Sequence, residues 1–418
     1  MLIQISVKNF MSIKDKVTFS MLASKDKEHL DNLIDGEGEK YLKSAVIYGA
    51  NASGKSNIFK AFNLAILMLR NSNNMQPKML LPYIPFKFDS KTIKDRTEIE
   101  FIIIINKIKY VYGFKYDAHK IYEEYLYYYP NGKQSEIFER TNTNKYHFTQ
   151  AESALESIKE KNMENKFFLA TATTWNYKKT KPVYDFLTTE INTIFDYDPL
   201  RGFSFDKYNS DETGELRKFS LALLNVTDFN ISDYQIKNVD ITMEHLMAIP
   251  PELRPLMSKS KGYNIFTKHS FKDDNGNITE GIIDFEEESL GTKNIFLLIP
   301  FLKDTLEKGN MLIIDELDKS IHPLLVKYIV NLFNNKNINK KGAQLIFNTH
   351  DTNLLSLSLF RRDQIWFTEK NYKNGSTDLY PLDAFPVRKG ENIQKGYLNG
   401  RYGAIPFISL GDELWQGQ

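Results

Sequence analysis

Ile3, Ile5 and Val7 alternate with polar residues, and Val17 and Phe19 do so again, which predicts two short strands at the start of the chain. Residues 45–48 form a short apolar run that leads into Gly49. Beyond Ser56, the apolar positions Ile58, Phe59, Phe62, Ala65, Ile66 and Leu69 recur at helical spacing, so this region reads as strand, glycine loop, helix. From 98 to 140 the sequence is rich in Ile, Tyr, Phe and Val. Asn131-Gly132 there offers the positive φ angles of a tight hairpin between 121–129 and 135–140, and the pattern predicts an antiparallel meander. A more polar stretch, 141–261, mixes helical patterns over 151–166 and 212–224 with loops such as Ile249-Pro250-Pro251, and reads as an inserted, mostly helical lobe.

Asn275-Gly276 marks a second hairpin, whose outgoing strand over 278–285 runs into the acidic cluster Glu286-Glu287-Glu288. A helix is expected from near Ser289 toward Leu306, kinked at Pro300 and ended by Gly309. Residues 311–314 and 344–347 then read as short buried strands separated by a helix over 323–333, the βαβ alternation of a parallel sheet. The pattern as a whole predicts an α/β fold in three stretches. These are 1–140 with the glycine loop and the meander, the inserted lobe 141–261, and a second half of the core over 262–418.

Gly49-Ala50-Asn51-Ala52-Ser53-Gly54-Lys55-Ser56 matches GxxxxGKS, and each fixed position has a task in holding a nucleoside triphosphate. The glycines let the backbone curl so that the amides of Asn51, Ala52, Ser53, Gly54 and those up to Asn57 surround phosphate, helped by the positive end of the following helix. Lys55 is expected on the β and γ phosphates and the Ser56 hydroxyl on Mg²⁺. The run 311–314 ends in Asp315-Glu316, two carboxylates delivered to the C-terminal edge of a parallel sheet. Asp315 is expected to help hold Mg²⁺, and Glu316 to accept a hydrogen bond from the attacking water as general base. His350 ends the next apolar run, where the same sheet edge would carry its imidazole near the γ phosphate. His322, just before Pro323, reads as a surface or capping residue instead.

Composition changes this picture little. Hydrophobic residues make up 42% and charged residues 26%, ordinary globular usage. Fifty-four basic against fifty-three acidic side chains leave a formal charge of +1, so no global field draws nucleic acid or an anionic membrane, and any DNA contact must be local. The absence of Cys removes disulfides, thiolate chemistry and Cys-based zinc sites and suits a reducing compartment; the cytoplasm is the expected location. The first twelve residues do not read as a signal peptide, and the longest apolar run, 295–302, contains Pro300 and is far too short to cross a bilayer.

The order of these elements resembles the ABC-type ATPases, in particular the branch with structural-maintenance-of-chromosomes, RecF-like and OLD-like heads. Glu288-Ser289-Leu290-Gly291-Thr292 matches the signature segment of that family by place and partly by type, lacking its second glycine and its glutamine. The resemblance implies a signature formed by Ser289, Gly291 and Thr292 that acts in trans on the γ phosphate held by a partner's Lys55, with Asp318 in the adjoining D-loop. The sequence departs from the family in having no clear Q-loop glutamine; Gln76 lies in a plausible connection but next to Pro77.

More narrowly, the chain is similar to stand-alone ABC-type ATPases of bacterial anti-phage defence and abortive infection. That similarity is carried by Ile5-Ser6-Val7-Lys8-Asn9-Phe10, the phosphate loop, Ser289 to Thr292, Asp315-Glu316-Leu317-Asp318 with Ser320-Ile321-His322-Pro323, Asn348-Thr349-His350, and the tail Gly400-Arg401-Tyr402-Gly403-Ala404-Ile405-Pro406. From the residues alone, the tail reads as a terminal segment packed on the sheet.

The resemblance implies ATP and Mg²⁺ as cofactors and a head-to-tail dimer, or a higher homo-oligomer of dimers, as the working form. OLD-like nucleases carry a toprim domain after the ATPase, and the stretch beyond His350 is too short for one. Killing or cleavage is therefore expected on a partner effector, a nuclease or toxin encoded nearby. The competing expectation is a DNA-repair or chromosome-associated ATPase, which the near-neutral charge disfavours. A non-hydrolysing ATP switch and a transporter subunit are further alternatives.

Overall fold

Three segments with almost no charged side chain, Ser44–Gly49, Met311–Ile314 and Gln344–Asn348, lie at the buried centre of a six-stranded sheet. Strands covered on both faces need apolar residues at every position rather than every second one, and here each of these residues is buried. The sheet runs in the order Ile191–Ile194, Met311–Ile314, Gln344–Asn348, Ser44–Gly49, Ile365–Lys370 and Thr377–Pro381. The first five strands are parallel and the last is antiparallel to its neighbour. Parallel register sends the ends of 311–314, 344–348 and 44–49 to one edge, where the chemistry-bearing residues follow.

The computed structural model describes residues 1–149, 153–226, 230–239 and 262–406, so the expected loop at Ile249-Pro250-Pro251 lies outside the described residues. The chain divides into two compact units. One comprises Met1–Phe195, Thr305–Leu317 and Lys327–Gln418, the other Asp196–Asp304 and Asp318–Val326.

The first unit also holds the expected meander, a seven-stranded antiparallel sheet. Its order is Lys145–His147, Ser135–Thr141, Ile121–Tyr129, Ile108–Tyr116, Thr97–Ile105, Leu2–Lys8 and Val17–Ser20. The helix Lys55–Asn71 buries Ile58, Phe59, Phe62, Ala65, Ile66 and Leu69, the stripe its periodicity predicts. These side chains share one apolar core with residues of both sheets, and the Phe62 and Phe101 rings lie 5.8 Å apart. Asn9 is a buried turn residue at φ 52° whose side chain donates to the Thr92 and Asp95 carbonyls and accepts from the Phe86 amide.

The expected lobe boundaries at 141 and 261 do not coincide with the breaks between units, because residues 141–195 pack with the meander. A buried ion pair accounts for this. Arg140, at the end of one meander strand, donates to the carbonyls of Thr143, Met163, Glu164 and Lys166. Its partner Glu124, 3.6 Å away, accepts from the amides of Phe168 and Leu169 at the start of the helix Phe168–Thr174. Both side chains are fully buried, and burial holds the Glu124 carboxyl above the ordinary carboxylate range, opposed by Arg140. The expected helix over 151–166 is shorter, Ser153–Lys159, with 151 and 152 outside the described residues.

The described residues of the second unit combine helix with strand, where the sequence predicts a mostly helical lobe. This unit contains the three-stranded antiparallel sheet Ile231–Val239, Gly262–Lys272, Ile278–Asp284 beside the helices Arg201–Asn209 and Glu215–Val226. The helix Leu290–Lys308 runs through Pro300, and Gly309 follows it at φ 78°. Proline cannot donate to the carbonyl four residues back, that of Phe296; the Tyr208 hydroxyl donates there instead, at 2.8 Å, and the Ser204 hydroxyl donates to the next carbonyl, Leu297. Among the described residues no helix is long and apolar enough to cross a membrane.

Candidate functional site

The segment after Ser44–Gly49 turns back on itself before the helix, and the turn is braced from behind. The Ser53 hydroxyl pairs with that of Thr368 at 2.7 Å, and the Thr377 hydroxyl donates to the Ser53 carbonyl at 2.7 Å. Ser12 pairs with Thr377 and accepts from the Asn57 side chain, both at 2.7 Å. Little space remains: a Cβ on Gly49 would collide with Thr368 and Ser53, and one on Gly54 with Thr377, at a φ of 108° that disfavours other residues. The Lys55 ammonium is buried and curls over the loop to the carbonyls of Gly49 at 2.8 Å and Ala50 at 3.1 Å.

A cavity of about 610 Å³ opens over this loop. Asn51, Ala52, Ser53, Gly54, Lys55, Ser56 and Asn57 line it together with Glu316 and His350, so residues from three strand ends meet around one space. Ser12, Lys60 and Lys370 complete its wall and carry no sequence signal of their own. Glu316 and His350 are both about half exposed, with Nε2 of the histidine 3.8 Å from Oε1 of the glutamate. Glu316 stands at φ 55°, a left-handed conformation that a non-glycine residue rarely takes. Asp315 does not line this cavity; its Oδ1 accepts from the side-chain amide of Asn348. Gly49 instead lines a second cavity, of about 450 Å³, which shares Asn51 and His350 with the first and has Tyr48, Tyr397, Ile405 and Pro406 in its walls.

The tail packs on the sheet as expected. The Phe367 and Tyr402 rings stack at 5.9 Å, Tyr380 donates to the Tyr402 carbonyl, and the Ala404 amide donates to Glu369. Gln76 lies outside both cavities, its carbonyl held by Asn165.

Ser289, Gly291, Thr292 and Asp318 belong to the second unit. There Ser289 precedes the helix Leu290–Lys308 and caps it, its oxygen accepting from the Thr292 amide at 3.1 Å and pairing with the Thr292 hydroxyl at 2.8 Å. Gly291 is pressed against the Ser320 carbonyl, where a Cβ would collide. Asn294 donates to the Lys319 carbonyl, so the helix start and the loop after Asp318 are held together within this unit. His322 caps the helix Pro323–Asn334 through its ring nitrogen and the Leu324 amide, as expected.

The donor set suits Mg²⁺ with a triphosphate. A serine hydroxyl and a carboxylate are hard oxygen ligands. Among the described residues no cluster of three or more His, Cys, Asp or Glu could hold a metal unaided, and Mg²⁺ usually takes one or two protein oxygens beside phosphate and water.

A glycine loop between a parallel strand and a helix, with a lysine over it and carboxylates at the end of a strand two places along the same sheet, defines a P-loop nucleotide-binding protein of mixed α/β fold. Residues 44–356 match the profile of the family described as "AAA domain, putative AbiEii toxin, Type IV TA system". The match covers more than half of the chain, which therefore belongs to that family, an AAA-class P-loop ATPase family with a toxin–antitoxin and abortive-infection context. No curated protein matches the chain.

Proposed function

We propose that this chain binds and hydrolyses ATP with Mg²⁺ in a composite site of the ABC type, closed when two copies pair head to tail, and that it serves a partner effector in phage defence as sensor or scaffold. The observation that carries the reading is the cavity into which the phosphate loop, Glu316 and His350 all open. The loop amides and Lys55 bind the phosphates; Ser56 on the cavity wall, with Asp315 at the strand end through its second carboxylate oxygen, would hold Mg²⁺, which when bound would offset phosphate charge. Glu316 takes the proton of the attacking water, and His350, 3.8 Å from it, faces the γ phosphate. A partner's Ser289 closes the site: its oxygen accepts from the Thr292 amide and, with the Thr292 hydroxyl as the donor of their pair, its own proton turns outward to phosphate.

The family's toxin–antitoxin description supports the effector context. Pull-down with the product of the neighbouring gene, with and without ATP, tests that part, and recovery of no partner under either condition counts against it. The catalytic assignment is tested by Glu316→Gln, which should retain ATP binding and lose about 10²–10⁴-fold in turnover. Hydrolysis at the parental rate would remove Glu316 from the mechanism.

A further inference from the structure

We propose that Asn348 is a positioning residue of the reaction, a buried amide that holds the Asp315 carboxylate and the turned backbone of Glu316 at the same time. The inference rests on the roles given above to Asp315 and Glu316. Asn348 is the last residue of the strand Gln344–Asn348 and is fully buried. A buried amide must find partners, and all those of Asn348 on the neighbouring strand end lie in one tripeptide. Its Oδ1 accepts from the Glu316 amide at 2.6 Å, its Nδ2 donates to Asp315 Oδ1 at 2.5 Å, and its main-chain carbonyl accepts from the Leu317 amide at 3.2 Å.

The need for such a clamp follows from the chemistry of adjacent carboxylates. In a continuing strand, successive side chains point to opposite faces, so Asp315 and Glu316 could not both serve one site. The left-handed turn at Glu316 breaks that alternation and brings the glutamate to the cavity wall. A conformation of this kind is strained for a residue other than glycine and persists where its surroundings hold it. The bond from Asn348 to the Glu316 amide is that hold. The other arm fixes the carboxylate beside it: with Oδ1 engaged, Oδ2 of Asp315 is the oxygen that remains for a cation. Two residues on, His350 approaches the Glu316 carboxylate, so one strand end bears on the base at its amide and at its side chain.

Few residues can do both tasks. The position needs an acceptor and a donor on one short planar group. Ser and Thr do not reach both partners, Gln adds a methylene in a fully packed place, and Asp keeps the acceptor but sets a carboxylate against Asp315.

The test compares Asn348→Ala and the isosteric Asn348→Asp with the parent protein and with Glu316→Gln. Turnover is measured against ATP and against Mg²⁺, and binding of a fluorescent ATP analogue is measured in EDTA. Both Asn348 variants should bind the analogue in EDTA within about threefold of the parent, because Lys55 and the loop are untouched. Their kcat should fall about 10–100-fold with little change in the KM for ATP, the size usual for residues that orient a metal ligand, and Asn348→Ala should need several-fold more Mg²⁺ for half-maximal rate. A kcat within threefold of the parent in either variant overturns the proposal. So does a loss of EDTA binding that parallels the loss of kcat, which would make Asn348 a fold residue only. If Glu316→Gln itself turns over normally, the underlying catalytic reading fails instead, and the two failures are told apart.

Discussion

Lys55 shows how the site is set before nucleotide arrives. Its ammonium donates to the carbonyls of Gly49 and Ala50, so the side chain lies across the loop, and in the proposed ATP complex phosphate oxygens take the place of those carbonyls. A hydrogen bond to a charged group contributes about 1.5–3 kcal/mol, so Lys55→Ala should weaken ATP binding by about 10- to 100-fold in equilibrium titration. Unchanged affinity would mean that the loop does not grip the triphosphate. The loop is legible in the sequence because its working atoms sit on contiguous residues with a fixed spacing. Its braces are not, since Thr368 and Thr377 reach Ser53 from 315 and 324 positions away and carry no motif. Asn348 lies two positions before His350 in Asn348-Thr349-His350, but the task proposed for it depends on which strand lies next to it, and that is a property of the sheet.

At the scale of elements, periodicity identified the strands and helices whose burial follows a simple rule. It misplaced the lobe, since polarity along 141–195 does not reveal that this stretch is tied to the meander by charge. Glu124 follows Glu123, and Arg140 stands between Glu139 and Thr141, so nothing in the local sequence sets them apart from solvated charges, yet both are fully buried. Removing one member of a buried pair leaves the other charge uncompensated, at about 3–5 kcal/mol. Arg140→Met should therefore lower the urea midpoint by an amount equivalent to that loss, and a change below about 1 kcal/mol would mean that the pair does not hold residues 141–174 in place. The helix through Pro300 makes a similar point. Local sequence predicts a kink at the proline, but the Tyr208 and Ser204 hydroxyls that serve the carbonyls four and three residues before it come from another helix and leave no local signal.

At the scale of the whole molecule, the phosphate loop and the Ser289 helix start belong to different compact units of the chain. Ser289 is exposed, and the adjoining Leu290 is 58% exposed, so this helix start is open to another surface. The central claim is that ATP draws two copies together through it. The direct measurement is molar mass by light scattering for Glu316→Gln, with and without Mg-ATP, alone and combined with Ser289→Arg. The account predicts a mass that doubles, or rises to a multiple of two, with Mg-ATP for Glu316→Gln, and the added Ser289→Arg should leave ATP binding intact and hold the mass at that of one chain, since its cation would sit at the partner's phosphates. A Glu316→Gln protein that binds ATP without a change in mass, or an assembly indifferent to Ser289→Arg, would contradict it.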